Sequence, residues 1–276
     1  MFILSAFADE ISPEPIEQIK VLKACGIRHI EFRSIHKTNV LALSDAQIAE
    51  FKALLDAEGF KLSAIGSPIG KIRVDEPFEP HLLKFQRAID LCKVFGTPNI
   101  RVFSYYPPVL FDDDWKPHRD EVIRRMTAKI EIAQKNGIVL FHENEHRIYG
   151  DSPERLADLY STLKSPHFKA AFDPANFVFC GYDPVKGWEV CKPYTAHFHI
   201  KDWKAKEEHG SIPGEGQGNI PAVMADAVKM GYKGFATMEP HLLGGGPTGG
   251  VTGPELFPKA VAAFKKILDG VGASYS

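Results

Sequence analysis

Residues that can bind a metal ion recur at the ends of short apolar segments in the second half of this chain. They are Glu143 in LFHENE, Asp173 in AAFDPAN, His199 in AHFHIKD and Glu239 in FATMEP. The carboxyl ends of parallel strands meet on one face of a sheet or barrel, so we predict that these four side chains form one site. Three carboxylates and an imidazole form a ligand set for a divalent metal ion, which favours an enzyme.

The expected donors are oxygen and nitrogen atoms, without a thiolate. This mixture favours a hard or borderline cation over a soft one. We therefore predict one divalent ion, with Mn²⁺ as the first choice and Mg²⁺, Co²⁺ and Zn²⁺ as alternatives. For any one of these residues a simpler explanation exists, since an acid at a strand end can cap the next helix and a single histidine can belong to the core.

Strand-like and helix-like segments alternate along the whole chain. The strands are predicted at residues 2–7, 27–32, 62–65, 100–103, 138–141, 169–172, 196–200 and 235–238. Eight helices are indicated between and after them. Ser12-Pro13 predicts the start of the first helix, and a capping box from Ser44 to Gln47 opens the second.

This alternation predicts parallel strands joined by crossover helices. Eight such units fit an α/β fold, a single (β/α)8 TIM barrel, which typically has about 250 residues. An open doubly wound sheet is the rival architecture, but no GxGxxG motif follows the first strand. Side chains alternate along a strand, so Phe141 and Glu143 should share the inner face while His142 points outward.

Composition restricts the class of partner. The chain has 276 residues, which we assign to one domain over residues 1–276, and its formal net charge is −2. Without a long basic run we expect no nucleic acid or membrane partner, and a small molecule is favoured. The four cysteines show no CxxC spacing, which predicts reduced thiols and a cytoplasmic protein. The first residues are predicted as a strand, not a signal peptide, and a homo-oligomer stays open.

Five motifs in a fixed order resemble the xylose-isomerase-like TIM-barrel superfamily, especially its sugar and sugar phosphate isomerases and epimerases. They are ENE at Glu143, DPAN at Asp173, HFHIKD at His199, PGEG at Glu215 and GYKGFATMEPH at Glu239. The resemblance implies one divalent metal ion bound by Glu143, Asp173, His199 and Glu239. It also implies that Glu143 and Glu239 are paired acid and base catalysts.

The implied double role of the glutamates has a chemical basis. A metal ion that chelates a sugar carbonyl and the adjacent hydroxyl acidifies the C–H between them and stabilises the resulting enediolate. One glutamate would remove the proton and the other would return a proton from the opposite side, which inverts a stereocentre; return of a proton to the neighbouring carbon would move the carbonyl.

Five further residues are predicted to bind the substrate: Glu31, Asn176, Lys201, Glu215 and His241. For Lys201 the alternatives are neutralising the excess carboxylate charge or standing as a solvated lysine. Glu31 could instead form an internal ion pair with Arg33. Aromatic rings just past strand ends can stack on a sugar, and the candidates are Tyr105, Tyr106 and Trp203. The loops at residues 203–219 and 241–253 could cover a bound substrate.

The chain departs from the ketose epimerases of the superfamily at two substrate-contacting places. Asn176 stands where those enzymes have a histidine, and Ala205 where they have an arginine. Their particular ketose is therefore not assigned to this chain.

Three other functions make different demands on these residues. A lyase acting on a keto-inositol or a 3-keto-glycoside begins with the same proton abstraction. A repair nuclease of the endonuclease IV type would need more histidines on the metal face, and strands three and four end instead at Ser67 and Ser104. A barrel that only binds a sugar would have no need of both Glu143 and Glu239.

Overall fold

The computed structural model describes residues 1–109, 114–246 and 249–276. The barrel strands are β1 (Phe2–Ala6), β2 (His29–Phe32), β3 (Lys61–Ile65), β4 (Asn99–Val102), β5 (Val139–Glu143), β6 (Phe168–Phe172), β7 (Thr195–Ile200) and β8 (Gly234–Met238). These eight parallel strands close into a barrel in the order β1-β8-β7-β6-β5-β4-β3-β2. The predicted barrel and its eight strands are confirmed.

Helices follow the strands and cover the outside of the barrel. They are α1 (Pro15–Ala24), α2 (Asp45–Glu58), α3 (Glu79–Phe95), α4 (Arg119–Lys135), α5 (Pro153–Thr162), α6 (Pro174–Phe179), α7 (Pro184–Cys191), α8 (Ile220–Lys229) and α9 (Gly253–Gly270). Two pairs of two-residue antiparallel strands lie outside the barrel. Among the described residues, no helix is both long enough and apolar enough to cross a membrane.

The helix starts follow local capping chemistry, with one correction. The capping box of α2 is present, because Ser44 accepts from the backbone of Gln47 and the Gln47 side chain bonds back to Ser44. The first helix was expected to begin at Ser12-Pro13 but begins at Pro15. The Ser12 hydroxyl accepts from the Glu14 N–H at 3.1 Å, so it stabilises the turn before the helix.

Alternation along the strands separates a polar interior from an apolar outer layer. Phe172 and Phe198 point outward and pack against Trp188 of α7, with ring centroids 5.1 and 5.5 Å away. His142 also points outward, as predicted, and its Nδ1 lies 3.4 Å from the hydroxyl of Tyr160 in α5. The interior thus receives the alternate residues, which carry the polar groups described next.

Candidate metal and active site

The four predicted metal-binding side chains meet at the carboxyl ends of β5 to β8. Glu143 ends β5, Asp173 directly follows β6, His199 lies in β7 and Glu239 directly follows β8. All four are buried, and one donor atom of each lies within 4.8 Å of the others. The structure therefore shows the predicted convergence, while metal binding itself stays a prediction.

Asp173 divides its carboxylate between a helix and the site. Oδ1 accepts from the backbone N–H groups of Ala175 and Asn176, at 2.8 and 3.1 Å, and so caps α6. Its backbone is held by Asn144, whose side chain bonds both the N–H and the C=O of Asp173. Capping was the simpler explanation of this residue, and it applies to only one of the two oxygens. Oδ2 faces the site.

Lys201 offsets part of the negative charge. Its Nζ lies 2.7 Å from Oδ2 of Asp173 and 3.7 Å from Oε2 of Glu239. Burial alone would lower the pKa of the Lys201 ammonium, but these two carboxylates outweigh burial and raise the pKa. The solvated-lysine alternative is wrong, because Lys201 is buried against carboxylates.

Each glutamate divides its oxygens between His199 and an arginine. Oε1 of Glu143 lies 3.3 Å from Nδ1 of His199, while Oε2 accepts from Arg101 at 3.1 Å. Oε2 of Glu239 lies 3.5 Å from the same nitrogen, while Oε1 accepts from Arg33 at 2.9 Å. Both carboxylates thus face Nδ1, each with one oxygen toward the site.

Both arginines lie over the ring of Phe7, with their Cζ atoms 4.4 Å (Arg33) and 4.7 Å (Arg101) from the ring centroid. The same ring is 5.1 Å from that of His199, edge-on. The expected ion pair of Arg33 with Glu31 does not form. Arg33 pairs with Asp9 at 2.8 Å and with Glu239, because Glu31 is engaged by histidines.

The hydrogen bonding of His199 leaves one ring nitrogen for a cation. Nε2 lies 3.2 Å from Oε2 of Glu31, and because an ionised carboxylate only accepts, this nitrogen carries a proton. In the neutral ring Nδ1 then holds a lone pair, although it faces Glu143 and Glu239. A lone pair that faces two carboxylates is stabilised by a positive ion between them.

Several buried atoms of the site lack a hydrogen-bond partner among the described residues, as expected where a positive ion binds. Nδ1 of His199, Oδ2 of Asp173 and Oε2 of Glu239 are buried and make no aligned hydrogen bond within the described part of the chain. Lys201 reaches Oδ2 of Asp173 as an ion pair only. Three carboxylates and one imidazole are the donor set of a divalent oxygen- and nitrogen-bound ion, so these residues fit the predicted metal.

The charges at the site shift the protonation equilibria of the residues. Burial alone would raise the pKa of the Glu143 carboxyl, but His199 and Arg101 outweigh burial and lower the pKa. Burial is the main cause that raises the pKa of Asp173, to about 7, against the opposing effect of Lys201. For His199, Glu143 and Glu31 overcome the effect of burial and raise the pKa of the imidazole. A metal ion that binds here therefore competes with protons.

A cavity of about 590 Å³ borders the site. Three of the five predicted substrate-binding residues line it, namely Asn176, Lys201 and His241. Its wall also holds the rings of Tyr106 and Trp203, two of the predicted stacking residues, whereas Tyr105 is fully buried and does not line it. A second cavity of about 440 Å³ lies at the amino-terminal ends of the strands and contains no predicted site residue.

Two predicted substrate-binding residues lie elsewhere. Glu215 is exposed and does not line the cavity. The backbone of its PGEG segment instead holds the loop in place. Gly214 and Gly216, which flank Glu215, and Gly218 donate their backbone N–H groups to the Asp202 carboxylate at 2.8 to 2.9 Å. Glu31 is fully buried, with its carboxylate against His199 instead of the cavity.

His241 lies next to two glutamates and packs against a glycine-rich loop. Its Nε2 lies 3.1 Å from Oε1 of Glu10 and 3.3 Å from Oε1 of Glu239. A Cβ atom added at Gly250 would lie only 1.9 Å from Cδ2 of His241, so glycine permits this close approach. The loop predicted to cover a substrate is therefore packed on the site at Gly250; residues 247 and 248 lie outside the described residues.

Arg101 and the helix α6 are the features of the site that sequence reasoning missed. Arg101 lies inside an apolar strand, and alternation from Ile100 and Val102 would have pointed it inward. The Asp173-Pro174 pair is a helix-start signature, with a capping acid before a proline at N1, and it predicts α6. The eight predicted helices do not include α6, although helix capping is the alternative role given to Asp173.

Comparison with known proteins gives relatives with this fold. A segment of 132 residues is 26% identical to 3-dehydroshikimate dehydratase of Bacillus anthracis, and this match covers 48% of the chain and 46% of that enzyme. The chain thus matches about half the length of this curated relative.

Two solved structures illustrate the likeness over the whole barrel. A xylose isomerase-like TIM-barrel protein of Mycobacterium smegmatis, solved in complex with magnesium, is 20% identical with a TM-score of 0.75, covering 99% of this chain and 97% of that one. The 3-keto-D-glucoside 4-epimerase of E. coli is 15% identical with a TM-score of 0.72, covering 98% of this chain and 100% of that one. At these identities the likeness shows the fold alone.

The family model described as "Xylose isomerase-like TIM barrel" matches residues 19–267. This range includes seven of the eight strands, from β2 to β8, and all four converging side chains. The chain therefore belongs to the xylose isomerase-like TIM-barrel family.

Proposed function

We propose that this chain is a divalent-metal-dependent isomerase or epimerase of a polyhydroxylated ketone, such as a sugar, a sugar phosphate or a keto-polyol. The observation that carries the proposal is that one carboxylate oxygen of Glu143 and one of Glu239 lie near the same atom, Nδ1 of His199, at 3.3 and 3.5 Å. Two carboxylates that share one site can act on the same bound substrate. Isomerases and epimerases of this kind need both a proton acceptor and a proton donor.

Glu143, Asp173, His199 and Glu239 would hold the ion, for which Mn²⁺ is our first choice. A divalent ion bound there would withdraw electron density from a substrate carbonyl and acidify the neighbouring C–H. Within the family, the Mycobacterium smegmatis protein in complex with magnesium supports a divalent ion of this class.

The glutamates would move the proton. One of Glu143 and Glu239 would remove it from the carbon beside the carbonyl as a carboxylate, and the other, after taking up a proton from solvent, would deliver that proton to the opposite face for epimerisation or to the adjacent carbon for isomerisation. The pKa of each glutamate is lowered despite burial, mainly by His199 for Glu143 and by Lys201 for Glu239, so either can serve as the base.

Cavity residues would orient the substrate. Asn176 donates from Nδ2 to Oε1 of Glu143 at 3.2 Å and to the backbone oxygen of Asn144 at 2.8 Å, so its amide is fixed at the cavity wall. Lys201 and His241 line the same cavity and offer N–H donors to substrate oxygens. The rings of Tyr106 and Trp203 would pack on the apolar face of the sugar.

Solvent deuterium exchange tests this proposal. A panel of ketoses, inososes and 3-keto-glycosides is incubated with the protein and Mn²⁺ in D₂O and followed by NMR. We expect deuterium at the carbon beside the carbonyl of at least one compound, with at least about a 100-fold loss of rate in Glu143→Gln and in Glu239→Gln. Exchange that persists in both variants at the wild-type rate would contradict the proposal.

A dehydratase is the second candidate, favoured by the partial match to 3-dehydroshikimate dehydratase. Loss of water next to a ketone begins with the same proton abstraction, and the two reactions differ in whether a hydroxyl then leaves. The NMR experiment separates them, because a dehydratase would produce an alkene signal and release water, whereas an epimerase or isomerase keeps the atom count of its substrate.

A further inference from the structure

Glu31 lies in β2, on the far side of the His199 ring from the predicted metal-binding carboxylates. Its Oε2 atom is 3.2 Å from Nε2 of His199, whereas Nδ1 of that ring faces Glu143 and Glu239. Glu31 is 1% exposed, so no solvent competes for its carboxylate. The imidazole is therefore held between one carboxylate behind it and two in front of it.

The same oxygen of Glu31 is held in place by a second histidine. Nε2 of His197 lies 2.7 Å from Oε2 of Glu31 and 2.8 Å from the Thr237 hydroxyl. Since the carboxylate only accepts hydrogen bonds, both histidines must present an N–H to it. The other oxygen, Oε1, lies 4.0 Å from Nε of Arg101.

We propose that Glu31 is a positioning residue for metal binding, which accepts the Nε2 proton of His199 and thereby presents the Nδ1 lone pair to the ion. The inference rests on the metal-dependent function proposed above. A ligating histidine commonly donates its second N–H to a carboxylate, which fixes the tautomer and the ring orientation and makes the ligand more basic. This role replaces substrate binding as the assignment of Glu31.

Metal titration with matched variants tests the proposal. Glu31→Gln removes the charge, Glu31→Leu also removes the acceptor, and Thr237→Val removes a hydrogen bond of His197 while it leaves Glu31 and His199 in place. We expect Mn²⁺ affinity to fall about 10- to 100-fold in Glu31→Gln and at least as far in Glu31→Leu, as for other groups behind a metal ligand. Thr237→Val should stay close to the wild type.

A measurement on the wild-type protein tests the tautomer that the proposal requires, even where Glu31→Gln fails to fold. In protein labelled with ¹⁵N-histidine and loaded with Mg²⁺, the ring of His199 should carry its proton on Nε2 and none on Nδ1. A proton on Nδ1 of His199 in the loaded protein would overturn the proposal.

The outcomes distinguish this inference from the function on which it rests. If the wild type binds neither Mn²⁺ nor Mg²⁺, the proposed function fails. If the wild type binds Mn²⁺ and folded Glu31→Gln binds it equally well, only the role of Glu31 fails. An equal loss in Thr237→Val and Glu31→Gln would also overturn that role, because the effect would then come from general disturbance of the barrel interior.

Discussion

Arg101 donates a hydrogen bond to Oε2 of Glu143 at 3.1 Å inside the barrel, although the two residues are 42 positions apart. Both side chains are nearly fully buried. The other oxygen of the glutamate, Oε1, faces His199. It therefore takes part in the orientation of a side chain that the proposed mechanism needs in one conformation.

Arg101→Met is expected to destabilise the protein most when no metal ion is bound. The substitution leaves the buried Glu143 carboxylate without its cation, and loss of one partner of a buried pair costs about 3–5 kcal/mol. Mn²⁺ should restore more stability to this variant than to the wild type, because the ion supplies positive charge at the same carboxylate. Urea unfolding with EDTA and with Mn²⁺ measures both effects.

Arg87→Met is the control for this prediction. Arg87 pairs at 2.7 Å with Asp45, whose side chain is 90% exposed, so its loss should change stability by about 1 kcal/mol or less. Equal destabilisation of the two variants, with no difference in the response to Mn²⁺, would contradict the role given to Arg101.

Lys129 is expected to make stability depend on pH. It is fully buried in α4, where Nζ donates to the Phe103 carbonyl at 3.3 Å and lies 4.5 Å from the Tyr105 ring centroid. Burial, and then Arg125, lower the pKa of its ammonium group from its ordinary value of 10.5 to about 7. Between these two values the unfolded chain binds more protons than the folded one, so this group makes stability rise with pH.

Lys129→Met should therefore raise the free energy of unfolding at pH 7, by on the order of 1–3 kcal/mol, and reduce its increase between pH 7 and pH 9. Lys135→Met, at the exposed end of the same helix, should leave the pH dependence as it is in the wild type. Urea titrations at several pH values provide the measurement. An unchanged slope in Lys129→Met would show that the buried amine is not the source.

Gly250→Ala tests the close packing of the glycine-rich loop on His241. The new Cβ atom would fall 1.9 Å from Cδ2 of the imidazole, so either the ring leaves Glu10 or the loop moves. We expect a loss of about 1–3 kcal/mol, as for other overpacked sites, together with weaker substrate binding. Gly270→Ala, where a Cβ meets nothing within 4 Å, should show neither change. Thermal melts and KM values are the measurements, and equal behaviour of the two variants would rule out the contact.

Asp202→Ala should release the loop at residues 203–219. Its carboxylate accepts four backbone N–H groups of that loop, from Trp203, Gly214, Gly216 and Gly218, and the loss of these bonds exposes the segment to proteases. Limited trypsin digestion should cut at Lys204 or Lys206 faster than in the wild type. Glu215→Ala should leave both cleavage and KM unchanged, because the side chain is exposed and outside the cavity. Resistance of Asp202→Ala to trypsin would contradict this view of the loop.

The fold and the main group of site residues could be predicted because local signals determine them. Glu143, Asp173 and Glu239 follow or end apolar strand segments, and strand ends converge in any parallel barrel. The outward direction of His142 follows from alternation alone. None of these inferences requires knowledge of which strands are neighbours.

The remaining features depend on contacts between residues far apart in the sequence. Glu31 and His199 are 168 positions apart, and their contact across the barrel depends on side-chain reach as well as on strand order. The PGEG segment suggested a substrate contact at Glu215, whereas its amides bind the Asp202 carboxylate. A motif records which residues occur together, but it does not show which of them point into the cavity.

Mn²⁺ binding to the purified protein, measured from the electron paramagnetic resonance signal of the free ion, is the direct test of the proposed metal site. We expect one tightly bound ion per chain and a large loss of affinity in Asp173→Asn, in which asparagine can still cap α6 while the charged oxygen facing the site is lost. A wild-type protein that binds no Mn²⁺, or an Asp173→Asn variant that binds it as tightly as the wild type, would contradict the proposed site.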